Sequence, residues 1–273
     1  GTNPKFRITF VASDLVKEEI LRSHAEDAIK HGFQKYQPFA EYIDEFEFFL
    51  NKDFVPKRDL SISDGGLFGG GFIQGGAQKI NERDCGADKI VFLSPGMYHG
   101  YTSMGAKVIY IGNKEHEHDN TNTIMHELGH ALCSLNDEYV YRDPRAPPTS
   151  YNCDIEKCPK WSIFGLPCFG TVIKDRNGCT IDNHFRPSKS SVMKSDASIF
   201  NEISCAGCLI EMGIHDKEKM EEAIDECALL LKEPKCIKTE DCVSEGKNEN
   251  CVSCDGGFCR DKDQKCLNRG KSC

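Results

Sequence analysis

The sequence predicts an α/β (α+β) fold, in which helices pack against a twisted mixed sheet and a small disulfide-rich C-terminal module follows. Apolar runs of strand length alternate with amphipathic helical stretches over residues 5–232, as expected of a chain that folds around a sheet. Seven of the 16 cysteines lie in residues 234–273, among Gly, Asn, Asp and Lys. Because that segment has almost no apolar side chains to form a core, crosslinks must hold it together.

The composition limits the classes of function. With 34 Lys and Arg against 43 Asp and Glu, the chain of 273 residues has a formal net charge of −9. An acidic chain without a basic run is a poor nucleic-acid binder, because neutralising phosphates requires clustered Lys and Arg. No apolar stretch approaches the roughly 18 residues of a membrane span. The 16 cysteines predict an oxidising compartment and hence a secreted, extracellular or cell-surface protein, although several structural zinc sites are the alternative.

The elements follow from the spacing of the apolar residues. Asp14 is predicted to cap a helix over residues 15–36, and Pro38 prevents its continuation. The glycine-rich stretch 61–78 is predicted to be a surface loop, since no Lys-Ser or Lys-Thr pair follows it to bind a phosphate. Strands are predicted at residues 5–12, 46–50, 89–93 and 107–111, and helical patterns return at 196–212 and 216–232.

Residues 123–139 contain the pattern His-Glu-x-x-His, at His126, Glu127 and His130. On a helix of about 100° per residue, the two histidines lie about 40° apart, so both can reach one metal ion. Glu127 lies beside the pair, where it can reach a water molecule on that ion. The apolar residues fall on the opposite side of the helix: Ile124, Leu128, Ala131 and Leu135. The competing interpretation is a buried amphipathic helix that carries the three polar residues by chance.

A catalytic zinc site needs a third protein ligand and a fourth position for water. Cys133 lies on the same face but seven residues beyond His126, about 10.5 Å along the axis, so a straight helix cannot bring it to the ion. The third ligand must come from chain that has turned back. Asn136 tolerates the left-handed conformation that ends helices, and a carboxylate follows it directly. We therefore predict that Asp137 completes a site for one Zn²⁺ ion, with Glu138 as the rival.

These residues resemble the IgA-peptidase-type family of zinc metallopeptidases. The resemblance rests on His-Glu-Leu-Gly-His at 126–130, then Leu135, then Asp-Glu-Tyr at 137–139. It extends through shorter matches in the same order along the chain, at residues 10–11, 38–42, 185–187 and 191–193. The similarity therefore spans residues 5–205.

The resemblance implies a metzincin-like zincin in three parts: an upper catalytic lobe at 1–140 with the active-site helix, a lower lobe at 141–233, and the Cys-rich module at 234–273. Met193 would belong to a Met-turn, in which a Met side chain forms an apolar floor under the zinc. An extended substrate would lie along an edge strand between residues 98 and 111. Two features depart from the metzincin pattern. Cys133 and Asn136 stand where Gly and then His or Asp are common, and Ser195 stands where some members carry Tyr.

The predicted function is that of a secreted zinc-dependent metalloendopeptidase with Glu127 as the general base. We expect a monomer that acts on protein or peptide substrates and uses its Cys-rich tail as an exosite or as an anchor to a surface or matrix. Two alternatives remain open: a catalytically silent zincin-scaffold adhesin or binding module, and a zinc amidohydrolase acting on a non-peptide amide. The intact Glu127 argues against the silent scaffold, because a site that only binds metal has no use for that carboxylate.

Further residues are candidates for the cleft or for crosslinks. Without a Tyr at position 195, help for an oxyanion could come from Tyr139, His184 or Arg186. Three more residues could line the cleft or simply pack: Tyr98, His99 and Tyr101. Cys205 and Cys208 are spaced like a redox pair, but structural bridges are favoured in so cysteine-rich a chain. The tail and the body each contain an odd number of cysteines, so if every cysteine is bridged, at least one bridge must join them, with Cys227 as the candidate.

Overall fold

The structure is a computed structural model, and it describes residues 5–56, 61–63, 72–74, 77–82, 84–95, 100–113, 120–139, 150–170, 179, 184–194, 197, 199–232, 253–255, 258–260, 266–268 and 271–272. The chain divides into two compact units, Gly1–Cys227 and Ala228–Cys273. The predicted division of the larger unit into an upper and a lower lobe stays a prediction.

The larger unit is built on a parallel sheet. Its strands in chain order are β1 (Phe6–Ala12), β2 (Phe46–Leu50), β3 (Ser61–Ser63), β4 (Phe72–Gln74), β5 (Lys89–Pro95) and β6 (Val108–Asn113). Four of them form one sheet in the order β2-β1-β5-β6, which confirms the four predicted strands. All pairings in this sheet are parallel, and the antiparallel contribution at its β6 edge is a single bridge between Tyr101 and Tyr110. The predicted surface loop at 61–78 is corrected in part, because β3 and β4 pair within it.

The helices in chain order are α1 (Glu18–Asp27), α2 (Ala77–Asn81), α3 (Asn120–Cys133), α4 (Pro159–Ser162), α5 (Glu202–Glu211) and α6 (Met220–Leu230). All of them belong to the larger unit except the last three residues of α6. A π-helical segment, Ala28–Phe33, continues α1, and 3₁₀ turns occur at Ile43–Glu45, Val192–Lys194 and Lys217–Lys219. The first helix begins after Lys17 rather than after Asp14. The reason is that the sheet extends past β1, since the Asp14 N–H donates to the Val55 carbonyl at 3.0 Å.

The sheet is buried on both faces, which explains why its strands consist of nearly continuous apolar residues. In β5, Ile90, Val91, Phe92 and Leu93 are all 0% exposed. One face contributes to a buried cluster of Val11, Val55, Ile80, Ile90, Phe92 and Val108. Successive strand side chains point to opposite faces, so Val91 and Leu93 point away from this cluster. Helix α3 contacts β5 and β6 and also α5, so the sheet fixes the position of the helix that carries the His-Glu-x-x-His pattern.

Four disulfides crosslink the larger unit: Cys133–Cys208, Cys153–Cys179, Cys158–Cys168 and Cys205–Cys227. Cys205 and Cys208 are therefore not a redox pair, because α5 uses one of them to reach α6 and the other to reach the end of α3. The expectation that Cys227 joins the body to the tail is wrong, since its partner is Cys205. These crosslinks are compatible with an extracellular protein.

The smaller unit contains a four-stranded antiparallel sheet. Its strands are β7 (Ser253–Asp255), β8 (Phe258–Arg260), β9 (Cys266–Asn268) and β10 (Lys271–Ser272). They are ordered β10-β9-β8-β7, so each strand pairs with its neighbours in sequence. Across the described residues of the whole chain, none of the helices has the length and apolar character needed to cross a membrane.

Candidate metal centre

Helix α3 is an almost completely buried helix with two distinct sides. Ile124, Leu128 and Ala131 are at most 2% exposed and pack away from the histidines, as the helical spacing predicted. The helix ends at Cys133, and the chain then reverses at Ser134, whose φ is +54°. The predicted left-handed residue, Asn136, is thus replaced by Ser134, directly after the last helical residue. This turn brings residues 135–139 back along the polar side of α3.

Each histidine of the pattern is oriented by a backbone carbonyl. The His126 Nδ1–H donates to the Val192 carbonyl at 2.8 Å, and the His130 Nδ1–H donates to the Leu135 carbonyl at 2.6 Å. A carbonyl can only accept, so in the neutral imidazole the Nε2 atom carries the lone pair. The two Nε2 atoms lie 3.2 Å apart, which places both lone pairs in the same small volume.

Asp137 completes this group. Its Oδ1 atom lies 2.9 Å from His126 Nε2 and 3.4 Å from His130 Nε2, and each of the three residues is only 7% exposed. Three electron-pair donors this close together in a buried place repel one another unless a proton or a cation lies between them. The donor set therefore fits a metal ion, and the His126, His130 and Asp137 group could hold one.

The directions of the pKa shifts of the three residues also indicate that the group favours a positive charge. Burial alone would lower the pKa of both histidines, but hydrogen bonding to Asp137 and its negative charge outweigh burial and raise the pKa of His126 and His130. Burial also opposes ionisation of Asp137, yet the two imidazoles hold the pKa of its carboxyl well below the usual range. The carboxylate thus draws a positive charge into the site, which is the electrostatic condition for binding a cation.

Glu127 lies next to this group on α3 and is 6% exposed. Burial raises the pKa of its carboxyl to about 8, partly opposed by His126 and by the Thr102 backbone N–H, which donates to it. The segment that carries Thr102 passes very close to the helix. A Cβ on Gly100 would lie 2.6 Å from Thr123 Cγ2 and 2.7 Å from Glu127 Cγ, so only glycine fits there without a shift of these side chains.

A cleft of about 260 Å³ opens onto this side of α3. Its lining consists of Gly100, Asn122, Thr123, His126, Glu127, Tyr139, Val192 and Ala197. The Tyr139 ring lies nearly parallel to the His126 ring, with an interplanar angle of 17° and centroids 6.4 Å apart. His126, a candidate ligand, and Glu127, a candidate proton acceptor, are therefore both accessible from one cleft.

Met193 packs against helix α3 at Gly129. It is 0% exposed, and a Cβ on Gly129 would lie 2.5 Å from its sulfur and 3.2 Å from the Phe200 ring. Gly129, between Leu128 and His130, therefore allows the 3₁₀ turn Val192–Lys194 to pack directly against the backbone of α3. The same turn supplies the Val192 carbonyl that orients His126.

Glu138, the rival third ligand, faces away from the group. It is 0% exposed, and its carboxylate accepts hydrogen bonds from the Ser191 hydroxyl at 2.6 Å and the Asn201 amide at 2.8 Å. Burial raises the pKa of this carboxyl, against the lowering effect of those donors. The two adjacent acids thus have separate surroundings, with Asp137 beside the imidazoles and Glu138 within a network of neutral donors.

The other residues predicted to line the cleft occupy different places in the structure. Tyr139 lines the cleft, and Tyr101 is 43% exposed beside Gly100, where it pairs with β6. Arg186 is 4% exposed and donates to the carbonyls of Ser188, Lys189 and Glu138, while the His184 carbonyl accepts from the Cys179 N–H. Neither Arg186 nor His184 is among the described residues that line the cleft. Tyr98 and His99 lie outside the described residues.

Sequence reasoning did not identify the partners of Glu138 or the close approach of Gly100. Ser191, Asn152 and Asn201 are 53, 14 and 63 residues from Glu138 in sequence, and single polar residues at such separations give no periodic signal. No protein-family model matches the sequence, and a search of the curated proteins finds no match.

Proposed function

We propose that this protein is a secreted, zinc-dependent metalloendopeptidase with a metzincin-like catalytic unit, similar to the IgA-peptidase-type family. The observation that carries the proposal is the convergence of His126 Nε2, His130 Nε2 and Asp137 Oδ1 beside the buried carboxylate of Glu127. A site that only stored metal would have no need of a further carboxylate on the same cleft.

Zinc fits the donor set better than calcium or magnesium does. Two imidazole nitrogens and one carboxylate oxygen are the three-ligand pattern of catalytic zinc sites, in which a fourth position is left for water or substrate. Calcium and magnesium prefer sites made only of oxygen atoms. The close support of Gly129 by Met193 agrees with the apolar floor that the family resemblance implies.

The chemistry divides between the ion and the chain. A zinc ion held by the three ligands would act as a Lewis acid toward the scissile carbonyl and lower the pKa of the attacking water. The Glu127 carboxylate accepts one proton from that water as its oxygen bonds to the carbonyl carbon. Glu127 then returns the proton to the amide nitrogen, so the C–N bond breaks with an amine as the leaving group. Gly100 and Thr102 hold Glu127 in place by contact and by a backbone hydrogen bond.

A protein or peptide substrate fits the surroundings of the cleft. Gly100 lines the cleft, and the adjacent Tyr101 forms an antiparallel bridge with Tyr110 of β6. Extended backbone therefore already lies at the β6 edge of the sheet. A substrate in extended conformation can pair with exposed backbone groups of such a segment, as in other cases of strand addition. In this proposal the Cys-rich unit, Ala228–Cys273, serves as an exosite or an anchor rather than as a catalytic part.

The test compares metal content and casein hydrolysis in the parent protein and in Glu127→Ala. We expect one zinc ion in each, with hydrolysis reduced about 10²–10⁴-fold in the variant, the usual contribution of a general base. Glu82→Ala, at an exposed position outside this motif, is the control and should match the parent.

Three results would contradict the proposal. Equal hydrolysis by the parent and Glu127→Ala would remove Glu127 from the mechanism. Bound zinc with no cleavage of any unfolded protein would favour a binding module on a zincin scaffold. Activity on small amides alone would favour an amidohydrolase.

A further inference from the structure

Glu138 holds the segment that orients His126 at two points. Its carboxylate Oε2 accepts from the Ser191 hydroxyl at 2.6 Å, and its backbone N–H donates to the Met193 carbonyl at 2.9 Å. Val192 lies between these two attachment points, and its carbonyl accepts the His126 Nδ1–H at 2.8 Å. The peptide group that orients His126 is therefore fixed on both sides by one residue.

Glu138 is itself held by the rest of the unit. Its Oε1 atom accepts from the side-chain amides of Asn152 and Asn201, at 3.1 and 2.8 Å, and from the Ser204 hydroxyl at 3.3 Å. Its carbonyl accepts from the Arg186 guanidinium at 3.3 Å. A fully buried carboxylate with this many donors is expensive to move, because any displacement leaves buried polar groups without their bonds.

We propose that Glu138 is a positioning residue of the metal centre, which sets the orientation of His126 through residues 191–193 and that of Asp137 as its neighbour in the chain. This inference rests on the proposed function, in that it takes His126 and Asp137 as ligands. Glu138 touches neither the ion nor the substrate. It fixes the direction of the His126 Nε2 lone pair, on which the affinity for the metal depends.

Ser191→Ala and Ser204→Ala form a matched pair that tests the inference. Both serines are 0% exposed, and both donate to the Glu138 carboxylate, but only Ser191 adjoins the carbonyl that orients His126. Removing the Ser191 hydroxyl should weaken zinc binding about tenfold, the lower end of the loss seen when a direct partner of a metal-bound histidine is removed, because Ser191 acts on His126 through the Val192 carbonyl. It should also shift the visible absorption of the Co²⁺-substituted protein. Ser204→Ala keeps the Ser191 bond and both amide donors to Glu138, so its zinc affinity and Co²⁺ spectrum should change much less than those of Ser191→Ala.

The measurements are made on the full chain, with Zn²⁺ affinity by competition with a chelator and with thermal unfolding of the metal-free proteins as the check on folding. Parent-like zinc affinity and Co²⁺ spectrum in Ser191→Ala would overturn the inference, and so would equal losses in both variants. If Ser191→Ala does not fold, Glu138→Asp decides, because it keeps a carboxylate but withdraws it from Ser191. A parent-like Co²⁺ spectrum in Glu138→Asp would then overturn the inference.

The two proposals fail in different ways. A parent that binds zinc but cleaves no protein removes the peptidase while leaving the role of Glu138 to be decided by the matched pair. A parent that binds neither Zn²⁺ nor Co²⁺ removes both.

Discussion

The sheet side of the larger unit and its loop-built side are stabilised by different forces. Strands β1, β5 and β6 bury apolar side chains on both faces, and four consecutive residues of β5 are completely buried. Residues 150–227 instead contain three disulfides within themselves and a fourth to the end of α3, together with buried polar networks. Helix α3 lies at the boundary of the two regions, and the candidate metal centre draws on both.

The two regions therefore contribute differently to the candidate metal centre. The sheet fixes where α3 lies and hence where His126 and His130 begin. The loop-built side fixes how His126 points, through the Val192 carbonyl, whereas His130 is oriented by the Leu135 carbonyl just after the end of α3. Apolar packing is non-directional, whereas hydrogen bonds and disulfides have defined geometry, so orienting a ligand falls to the second region.

The disulfides provide the largest expected effect on stability. Cys133–Cys208 joins residues 75 apart and ties α3 to α5, whereas Cys158–Cys168 joins residues 10 apart within the loop-built side. Chain entropy predicts that double alanine variants lose about 4 kcal/mol for the first bond and about 3 kcal/mol for the second. Denaturant unfolding of the metal-free proteins measures both. A larger loss for Cys158 and Cys168 would mean that loop closure does not set the contribution of these crosslinks.

The second-largest expected effect is on the affinity for zinc. Asp137→Asn removes the charge from the group with little change of shape, so zinc affinity should fall more than about 100-fold, beyond the loss expected for an outer partner of a ligand. Asp154→Asn is the matched control. Asp154 is also buried, at 6% exposed against 7% for Asp137, but it accepts from the backbone N–H groups of Ile155 and Lys160. The control should retain the zinc affinity of the parent, and a similar loss in both variants would argue that general loosening of the fold, not loss of a ligand, is responsible.

The smallest effect concerns the contact between the segment at Gly100 and α3. Gly100→Ala places a methyl group within 2.7 Å of Glu127 Cγ, so Glu127 must shift. We expect about tenfold slower casein hydrolysis, because a misplacement of about 1 Å in an active site can cost up to about 10²-fold in rate. Zinc affinity should not change, because the atoms nearest to the added methyl group belong to Thr123 and Glu127 and not to the three ligands. Ser103→Ala, an exposed position in the same segment, should hydrolyse casein at the parent rate. Weaker zinc binding in Gly100→Ala would show that the segment supports the ligands as well as Glu127.

Local pattern and tertiary context contributed differently to α1, the first helix of the chain, and to α3, the helix that carries the histidines. The helical spacing within α3 correctly separated the buried apolar side from the histidines, because that separation is a property of one helix. The start of α1 was misplaced by three residues, because Asp14 pairs with Val55 instead of capping the helix. A hydrogen bond to a residue 41 positions away leaves no trace in the local sequence.

The sequence by itself determined the positions of the four strands of the main sheet, the helix with its two histidines one turn apart, and a carboxylate shortly beyond the helix end. Each is a short-range pattern of polar and apolar residues. Only the tertiary structure decided that Asp137 rather than Glu138 faces the imidazoles, and that Cys133 pairs with Cys208. Those outcomes depend on the reversal at Ser134 and on donors brought from distant segments, and neighbouring carboxylates that look equivalent in sequence become different once the chain folds around them.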